Sequence, residues 1–165
     1  MNALVLYDSK FGNTARIAEA ITLALQETVP TRLSAIEEIG DCDEALSGVD
    51  ILVVGGPTQR RGISDPLRGP LSCLGDRALA GTRVAVFDTR LRGSRLVTGS
   101  AAARLATLMR RHGAWVVVPP ESFIVDGREG PLHEGEAGHA RLWAHAVLEA
   151  VGVRPRGPER EPVGG

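Results

Sequence analysis

Residues Ser9 to Thr14 of this 165-residue chain combine two hydroxyl side chains with a glycine in a short polar turn. They directly follow the apolar run Ala3 to Tyr7, which is typical of a strand, and they lead into a segment with helical spacing. A turn between a parallel strand and a helix brings backbone N–H groups, the two hydroxyls and the positive end of the helix dipole together. This chemistry predicts a phosphate-binding site, although an ordinary capped turn has the same residue types.

The other side chains suited to catalysis or metal binding show no such organisation. The four histidines lack the spacing to a carboxylate or to one another that a metal site needs, so we expect them in solvent and predict no metal. Cys42 and Cys73 match neither a metal motif nor a disulfide framework. A reducing compartment, the cytoplasm, therefore fits the cysteines better than secretion.

Composition and charge argue against two classes of partner. A net charge of -1 gives no basis for binding nucleic acid. No apolar run approaches the roughly 20 residues of a membrane span. Among the 19 lysines and arginines, Lys10 is the one lysine, so the positions of the arginines are more informative than the net charge.

Five apolar runs alternate with helical patterns along the chain. The apolar runs cover residues 3–7, 31–36, 50–55, 83–88 and 114–118, and helical patterns cover residues 14–28, 43–46, 100–112 and 136–151. Ser64, Asp65 and Pro66 are typical of the start of one more helix. This alternation predicts an α/β fold with a doubly wound, five-stranded parallel sheet. We expect one domain over residues 1–152 and, from the proline, glycine and charge of residues 153–165, a disordered tail.

Three polar segments follow predicted strands. They are Asp8 to Asn13, Pro57 to Gly62 and Thr89 to Arg95. Because the carboxyl ends of parallel strands meet at one edge of a sheet, we expect these three segments to form one rim. The phosphate-binding turn would then face two further loops.

Four segments of the sequence resemble the flavodoxin family. YDSKFGNT at residues 7–14 is similar to its phosphate loop, GGPT at 55–58 to its second cofactor loop, and VFDTR at 86–90 to the start of its third. GPLHEGE at 130–136, before a tryptophan-containing helix, also resembles small flavodoxin-type proteins. The resemblance covers the chain to about residue 150 and implies the strand order 2-1-3-4-5. Ligands in such sheets bind where the order reverses, a rule for which flavodoxin itself is an example.

The resemblance implies that FMN is bound non-covalently, with its phosphate at the first loop and its ring between the second and third loops. The residues implied to contact FMN are Ser9, Lys10, Phe11, Gly12, Asn13, Thr14, Pro57, Thr58, Gln59, Arg60, Arg61, Gly62, Asp88, Thr89, Arg90, Leu91, Arg92 and Gly93. Family members carry single electrons between proteins or reduce quinones with a nicotinamide donor. Since the flavin supplies this chemistry, the resemblance implies no catalytic side chain.

The sequence departs from the family in three ways. Phe11 stands where the common phosphate loop has a hydroxyl residue, and the second and third loops lack the usual tyrosine or tryptophan that stacks on the flavin. The third departure is charge, because arginines replace carboxylates around the predicted site. These arginines are Arg60, Arg61, Arg90, Arg92 and Arg95. They form either a functional cationic rim or an ordinary solvated surface.

These observations favour an FMN-binding electron-transfer protein and leave two alternatives. One is a flavin-dependent reductase that uses NAD(P)H and a quinone or another small molecule. The other is a binding module that keeps the fold but has lost flavin, which the missing aromatic residues favour. For the electron carrier, the cationic rim predicts a redox partner protein with an acidic surface.

Overall fold

The apolar runs of the sequence form a parallel sheet in the computed structural model, which describes residues 1–153. The strands are β1 (Ala3–Tyr7), β2 (Thr31–Ala35), β3 (Ile51–Pro57), β4 (Arg83–Leu91), β5 (Trp115–Val116) and β6 (Glu121–Val125). The α-helices are α1 (Asn13–Gln26), α2 (Cys42–Leu46), α3 (Asp65–Ser72), α4 (Arg95–Thr98), α5 (Ala101–Arg111) and α6 (Glu136–Ala150). A single 3₁₀ turn, Ile36–Glu38, follows β2.

The strand order β2-β1-β3-β4-β5 confirms the predicted order and the parallel sheet. The number of strands differs from five, because β5 and β6 are separate strands that both pair with β4. Since β3 lies along the opposite edge of β4, β5 and β6 follow one another along the same edge. Pro119 and Pro120 lie between them and have no N–H to donate to a ladder.

The fifth strand predicted over residues 114–118 is shorter in the structure. Only Trp115 and Val116 are paired in β5, and this strand lies at the edge of the sheet, where the predicted strand order places it. Trp115 is 70% exposed. The apolar run was misleading because a strand at an edge can carry apolar residues without burying them.

Strands β3 and β4 extend further than predicted. Strand β3 includes Gly56 and Pro57, and β4 includes the polar residues Thr89 and Arg90, which are paired with β3 and β6 respectively. Part of the predicted third loop is therefore strand. The polar residues are compatible with a strand here because this end of β4 lies at the edge of the core.

Helices cover both faces of the sheet, as predicted. One core cluster places residues of α1 and α6 on the first face, and a second cluster places residues of α3 and α5 on the other. Gly55 is required by the packing within β3, since a Cβ there would lie 2.3 Å from the ring of the fully buried Phe87. Only glycine allows this close approach between neighbouring strands.

Val153, the last of the described residues, packs against the domain. Val153 donates its N–H to the carbonyl of Leu148 over 2.9 Å and packs against the first core cluster. The remainder of the predicted tail, residues 154–165, lies outside the described residues. Over residues 1–153, none of the helices combines the length and the apolar character needed to cross a bilayer.

Candidate functional site

A cleft of about 1140 Å³ lies at the carboxyl ends of β1, β3 and β4. Most of the sequence-predicted site residues line it together: Ser9, Lys10, Phe11, Asn13, Thr14, Pro57, Thr58, Gln59, Arg60, Gly62, Thr89, Arg90 and Leu91. The remaining predicted residues do not line it: Gly12, Arg61, Asp88, Arg92 and Gly93. The three predicted segments thus meet at one rim, and their contributions to it differ.

The turn between β1 and α1 presents free hydrogen-bond donors to the cleft. Gly12 precedes α1 in the left-handed conformation, with φ 88°, and no atom lies within 4 Å of where its Cβ would be. Ser9 Oγ accepts from the N–H groups of Gly12 at 3.1 Å and Ala15 at 3.2 Å. Because both contacts use oxygen lone pairs, the Ser9 hydroxyl proton is left to donate to a ligand.

Backbone amides complete this cradle. Within the described residues, the N–H groups of Lys10, Phe11, Asn13 and Thr14 have no acceptor. They surround the first turn of α1, where the helix dipole favours an anion. Several unpaired amides beside a free hydroxyl proton are the donors that a phosphate group needs.

Two side chains fix the cradle to its surroundings. Thr14 Oγ1 lies 2.8 Å from Thr89 Oγ1 in a buried hydrogen bond that joins α1 to β4. Asn13 Nδ2 donates to the carbonyl of Glu129 over 3.1 Å. The Asn13 side chain is thereby directed to the segment after β6, so its backbone N–H, rather than its amide group, is the donor available to a ligand.

The second turn, Gln59 to Gly62, is a two-residue hairpin. The N–H of Gln59 donates to the carbonyl of Gly62 over 2.9 Å, and the N–H of Gly62 donates back over 2.8 Å. The central residues, Arg60 and Arg61, have φ values of 46° and 67°. Such turns favour Asn-Gly, because residues with bulky side chains are disfavoured at positive φ. Two arginines therefore occupy strained positions at the mouth of the cleft.

The two arginines of this turn have different surroundings. Arg61 donates from Nη2 to the carbonyl of Leu96 in α4, and its backbone packs so closely on Gly99 that a Cβ at Gly99 would lie 2.5 Å away. Arg60 lines the cleft and makes no side-chain hydrogen bond within the described residues. The turn thus fixes Arg61 against α4 and leaves Arg60 directed towards the site.

Asp88 lies behind the cleft and positions two of its elements. It is fully buried, and its Oδ2 accepts from Ser100 Oγ at 2.7 Å, from the N–H of Ala102 at 2.9 Å and from Thr58 Oγ1 at 3.2 Å. This carboxylate joins the start of the second turn to the amino terminus of α5. A buried carboxylate with three donors is a structural anchor.

At and after the end of β4, Arg90 lines the cleft and Arg92 does not, and both side chains form hydrogen bonds within the protein. Arg90 donates from Nη1 to the carbonyl of Gly93 at 2.8 Å and to Thr98 Oγ1 at 3.1 Å, and thereby closes the loop before α4. Arg92 donates to a ring nitrogen of His133 over 3.0 Å, and His133 Nδ1 lies 2.8 Å from Asp126 Oδ1. These hydrogen bonds hold the two guanidinium groups in place, and Arg90 still contributes its positive charge to the cleft.

The cleft is positively charged, and of the five predicted arginines Arg60 and Arg90 line it, whereas Arg61, Arg92 and Arg95 do not. Its charged lining residues are Lys10, Asp65, Arg60, Arg68, Arg90, Arg104, Arg111 and Arg128. Arg68 forms an ion pair with Asp65, the one acidic residue of this lining. Phe11 is the one aromatic residue that lines the cleft within the described part of the chain. The predicted lack of stacking residues is therefore visible in the site.

The opposite side of the phosphate turn is acidic. The pKa of Tyr7, the last residue of β1, is raised from its ordinary value of 10.0, first by burial and then by the nearby carboxylates of Glu38, Glu19 and Glu37. A half-buried phenol loses its proton less readily near negative charge. Tyr7 therefore lies near acidic residues of α1 and of the 3₁₀ turn after β2.

Sequence reasoning missed the part of the cleft between α3 and α5. Its lining residues include Ile63, Arg68, Ser72, Ala103, Arg104, Thr107, Leu108 and Arg111. The spacing from Arg104 through Thr107 and Leu108 to Arg111 places these residues on one face of a helix. That spacing was visible in the sequence. The position of α3 opposite this face was not.

Comparison with solved structures identifies the architecture. No protein-family model and no curated protein sequence matches the chain. The structure is similar to that of oxidised Flavodoxin 1 from Bacillus cereus, with a TM-score of 0.75 and 18% sequence identity over 90% of this chain and 98% of the other. The chain has a flavodoxin-like fold.

Two further structures with a flavodoxin-like fold resemble this one to a similar degree. A flavodoxin from the domain Archaea has a TM-score of 0.71 and 20% identity, over 92% of this chain and 99% of the other. A flavodoxin, WrbA-like protein from Agrobacterium tumefaciens has a TM-score of 0.69 and 22% identity, over 92% and 98%. These matches span almost the whole of the described residues, so the flavodoxin-like fold includes the phosphate turn and both facing segments.

Proposed function

We propose that this protein binds FMN non-covalently in the cleft and transfers electrons between redox partners. The observation that carries the proposal is the cradle formed by the Ser9 hydroxyl and the free amides around Gly12. FMN, when bound, supplies the redox chemistry by accepting and donating electrons. The similarity to solved flavodoxins supports FMN as the ligand over other phosphate compounds.

The chain's own residues contribute binding and orientation. Ser9 and the amides of residues 10, 11, 13 and 14 hold the phosphate. Thr58, Gln59 and Leu91 line the part of the cleft where the second and third segments face one another, and they exclude water from the ring. Aromatic stacking on a base contributes roughly 1–3 kcal/mol where it occurs. Its absence from these segments predicts weaker FMN binding than in an aromatic-lined site.

The positive cleft defines the proposed partner. Arg60, Arg104 and Arg128 line the cleft, and none forms a salt bridge within the described residues. This charge attracts a redox partner with an acidic surface. Because exposed charges are screened by salt, the association should weaken as ionic strength rises. The two free cysteines fit a reducing compartment, so we place this activity in the cytoplasm.

The absorption spectrum of freshly purified protein, followed by titration with FMN and with riboflavin, tests the proposal. We expect a bound flavin and tighter binding of FMN than of riboflavin, which lacks the phosphate. Ser9→Ala should weaken FMN binding about 10- to 100-fold, the effect of a hydrogen bond to a charged group, with little effect on riboflavin. Ser47→Ala, on the exposed end of α2, is the matched control.

The outcomes of this titration distinguish the proposal from its alternatives. A protein without flavin that does not bind FMN would be the binding module favoured by the aromatic-poor cleft. Equal affinity for FMN and riboflavin would show that the phosphate cradle is not used. Steady-state oxidation of NADPH with a quinone acceptor, in the absence of a separate reductase, would identify the protein as an enzyme, since an electron carrier shows none.

A further inference from the structure

The cleft extends beyond the phosphate turn and the two facing segments. Its volume of about 1140 Å³ is close to the upper end of the roughly 300–1,000 Å³ of ligand sites, and its lining includes residues of α3 and α5 that belong to neither turn nor to the segment after β4. The additional space lies between α3 and α5, and we call it the α3–α5 groove. Its lining residues are Ile63, Asp65, Arg68, Ser72, Ala103, Arg104, Thr107, Leu108 and Arg111. Because Asp65 and Arg68 form an ion pair, Arg104 and Arg111 provide the net positive charge of the groove.

The α3–α5 groove and the phosphate turn lie on opposite faces of the sheet. Helix α1 packs with α6 in the first core cluster, whereas α3 and α5 pack in the second. The two regions meet only at the strand ends, where Thr58 and Thr89 line the cleft. A phosphate group held at the amino terminus of α1 is therefore separated by the sheet edge from the arginines of α5.

The charges of the groove are available to a ligand. Arg104 and Arg111 are exposed, lie seven residues apart on one face of α5, and so are about 10 Å apart along the helix. Neither forms a salt bridge within the described residues. Arg104 packs against the second turn, since a Cβ at Gly62 would lie 3.2 Å from its Cδ. The groove thus begins at the Arg60 turn and continues along α5.

We propose that the α3–α5 groove binds a second ligand, an organic diphosphate of the nucleotide class. One guanidinium group can donate two parallel hydrogen bonds to a phosphate group. Two arginines spaced along a helix therefore suit an anion that has oxygens at both ends. The hydroxyls of Ser72 and Thr107 line the groove and add neutral donors. A single carboxylate would engage one arginine and leave the other unused.

The apolar residues of the groove account for the organic part of the ligand. Ile63 and Leu108 are half-buried and line the cleft beside the arginines. Ligand sites combine apolar walls with a few polar groups that fix orientation. A flat ring on Ile63 and Leu108 with phosphates on Arg104 and Arg111 uses both properties, which inorganic phosphate does not. The proposed binding of this ligand does not require bound FMN.

The test is calorimetric titration of the FMN-saturated protein with adenosine diphosphate and with inorganic pyrophosphate. We expect both to bind, with adenosine diphosphate the tighter. The double variant Arg104→Gln, Arg111→Gln should lose tenfold or more in affinity for both. Arg110→Gln is the matched control, because Arg110 is an exposed neighbour on α5 that does not line the groove, and it should change affinity less than twofold.

Three results would overturn this proposal. The first is failure of the wild-type protein to bind either probe. The second is a loss of affinity in the Arg110→Gln control equal to that in the double variant. The third is displacement of the probe by FMN, which would assign the probe to the phosphate turn. Repeating the titration with the flavin-free protein and with Ser9→Ala separates the two proposals. If FMN does not bind but adenosine diphosphate does, and only the double variant loses affinity for adenosine diphosphate, the groove proposal is supported and the FMN proposal is not. Thermal unfolding midpoints check that each variant is folded.

Discussion

The first and second turns of the cleft lie side by side at the ends of β1 and β3, yet they present different chemical groups to a ligand. The first turn places its left-handed residue at Gly12 and presents backbone amides. The second places two arginines, Arg60 and Arg61, at positive φ and presents a side chain. Left-handed conformation costs glycine little, whereas it costs other residues about 1–2 kcal/mol each.

This difference separates a site fixed by the fold from one fixed by particular side chains. Backbone amides can bind phosphate whatever side chains surround them. The first turn therefore needs only the glycine that permits its backbone geometry in order to present these amides. The strained second turn persists because Arg61 is bonded to α4 and Gly99 packs on its backbone. Strain that the surroundings maintain is a property of functional segments. The second turn therefore depends on its particular side-chain and packing contacts.

The largest effect is expected from removing the anchor behind the second turn. Asp88→Ala leaves Ser100 Oγ, the Ala102 N–H and Thr58 Oγ1 without their acceptor, and should lower the free energy of unfolding by about 2–4 kcal/mol. Urea denaturation measures this change. Asp65→Ala, which removes an exposed carboxylate, should change stability by less than about 1 kcal/mol. Equal losses in the two variants would contradict the anchoring role.

Substitutions at the two left-handed positions should have opposite signs. Gly12→Ala should destabilise the protein by about 1–2 kcal/mol from conformation alone, since open space surrounds its Cβ position. Arg60→Asn should stabilise it by about 0.5–1 kcal/mol, because asparagine tolerates positive φ. Gly40→Ala, at an open position without positive φ, is the control for the first. Arg60→Gln, which keeps the strain, is the control for the second. Destabilisation by Arg60→Asn would show that the turn is not strained.

If FMN binds in the cleft as proposed, the charge of Arg60 should affect its reduction potential. One charge placed about 10 Å from a redox group changes the free energy of adding an electron by roughly 0.4–1.7 kcal/mol, or about 20–70 mV. Arg60→Gln should lower the reduction potential of FMN by this amount, and potentiometric titration measures it. Arg110→Gln removes the same charge outside the cleft and should have a smaller effect. An unchanged potential in Arg60→Gln would disprove the electrostatic role of the second turn.

The smallest effect concerns the acidic side of the first turn. Tyr7 is the one tyrosine of the chain, so the ultraviolet absorbance of tyrosinate reports its ionisation alone. Its pKa is raised mainly by burial, and its titration midpoint should lie above 10. Because the folded state holds this proton more tightly, the stability that it contributes is complete below the unfolded pKa of about 10 and is lost as the pH rises from there through the higher folded pKa. Glu38→Gln should lower the midpoint slightly, and a rise would contradict the acidic surroundings.

The sequence predicted the features that depend on the backbone better than those that depend on particular side chains. The parallel sheet, the helices on both faces and the meeting of three segments followed from apolar periodicity and polar strand ends, because these depend on burial. The strand order followed from the resemblance to the flavodoxin family. Arg61 and Arg92 were predicted in the site, but hydrogen bonds to Leu96 and His133 direct them elsewhere. Those bonds depend on loop conformation. The α3–α5 groove was missed because it depends on how two helices are placed, which one helix's spacing does not reveal.

The division of the outer strand into β5 and β6 affects how this protein meets copies of itself. An unbroken strand at a sheet edge offers a row of free N–H and C=O groups to which another chain can add. Here β5 contains two residues, and the consecutive prolines 119 and 120 provide no N–H at the interruption. The outer side of β5 and β6 is consequently a poor template for a further strand. At high concentration, this side of the sheet should resist aggregation by strand addition.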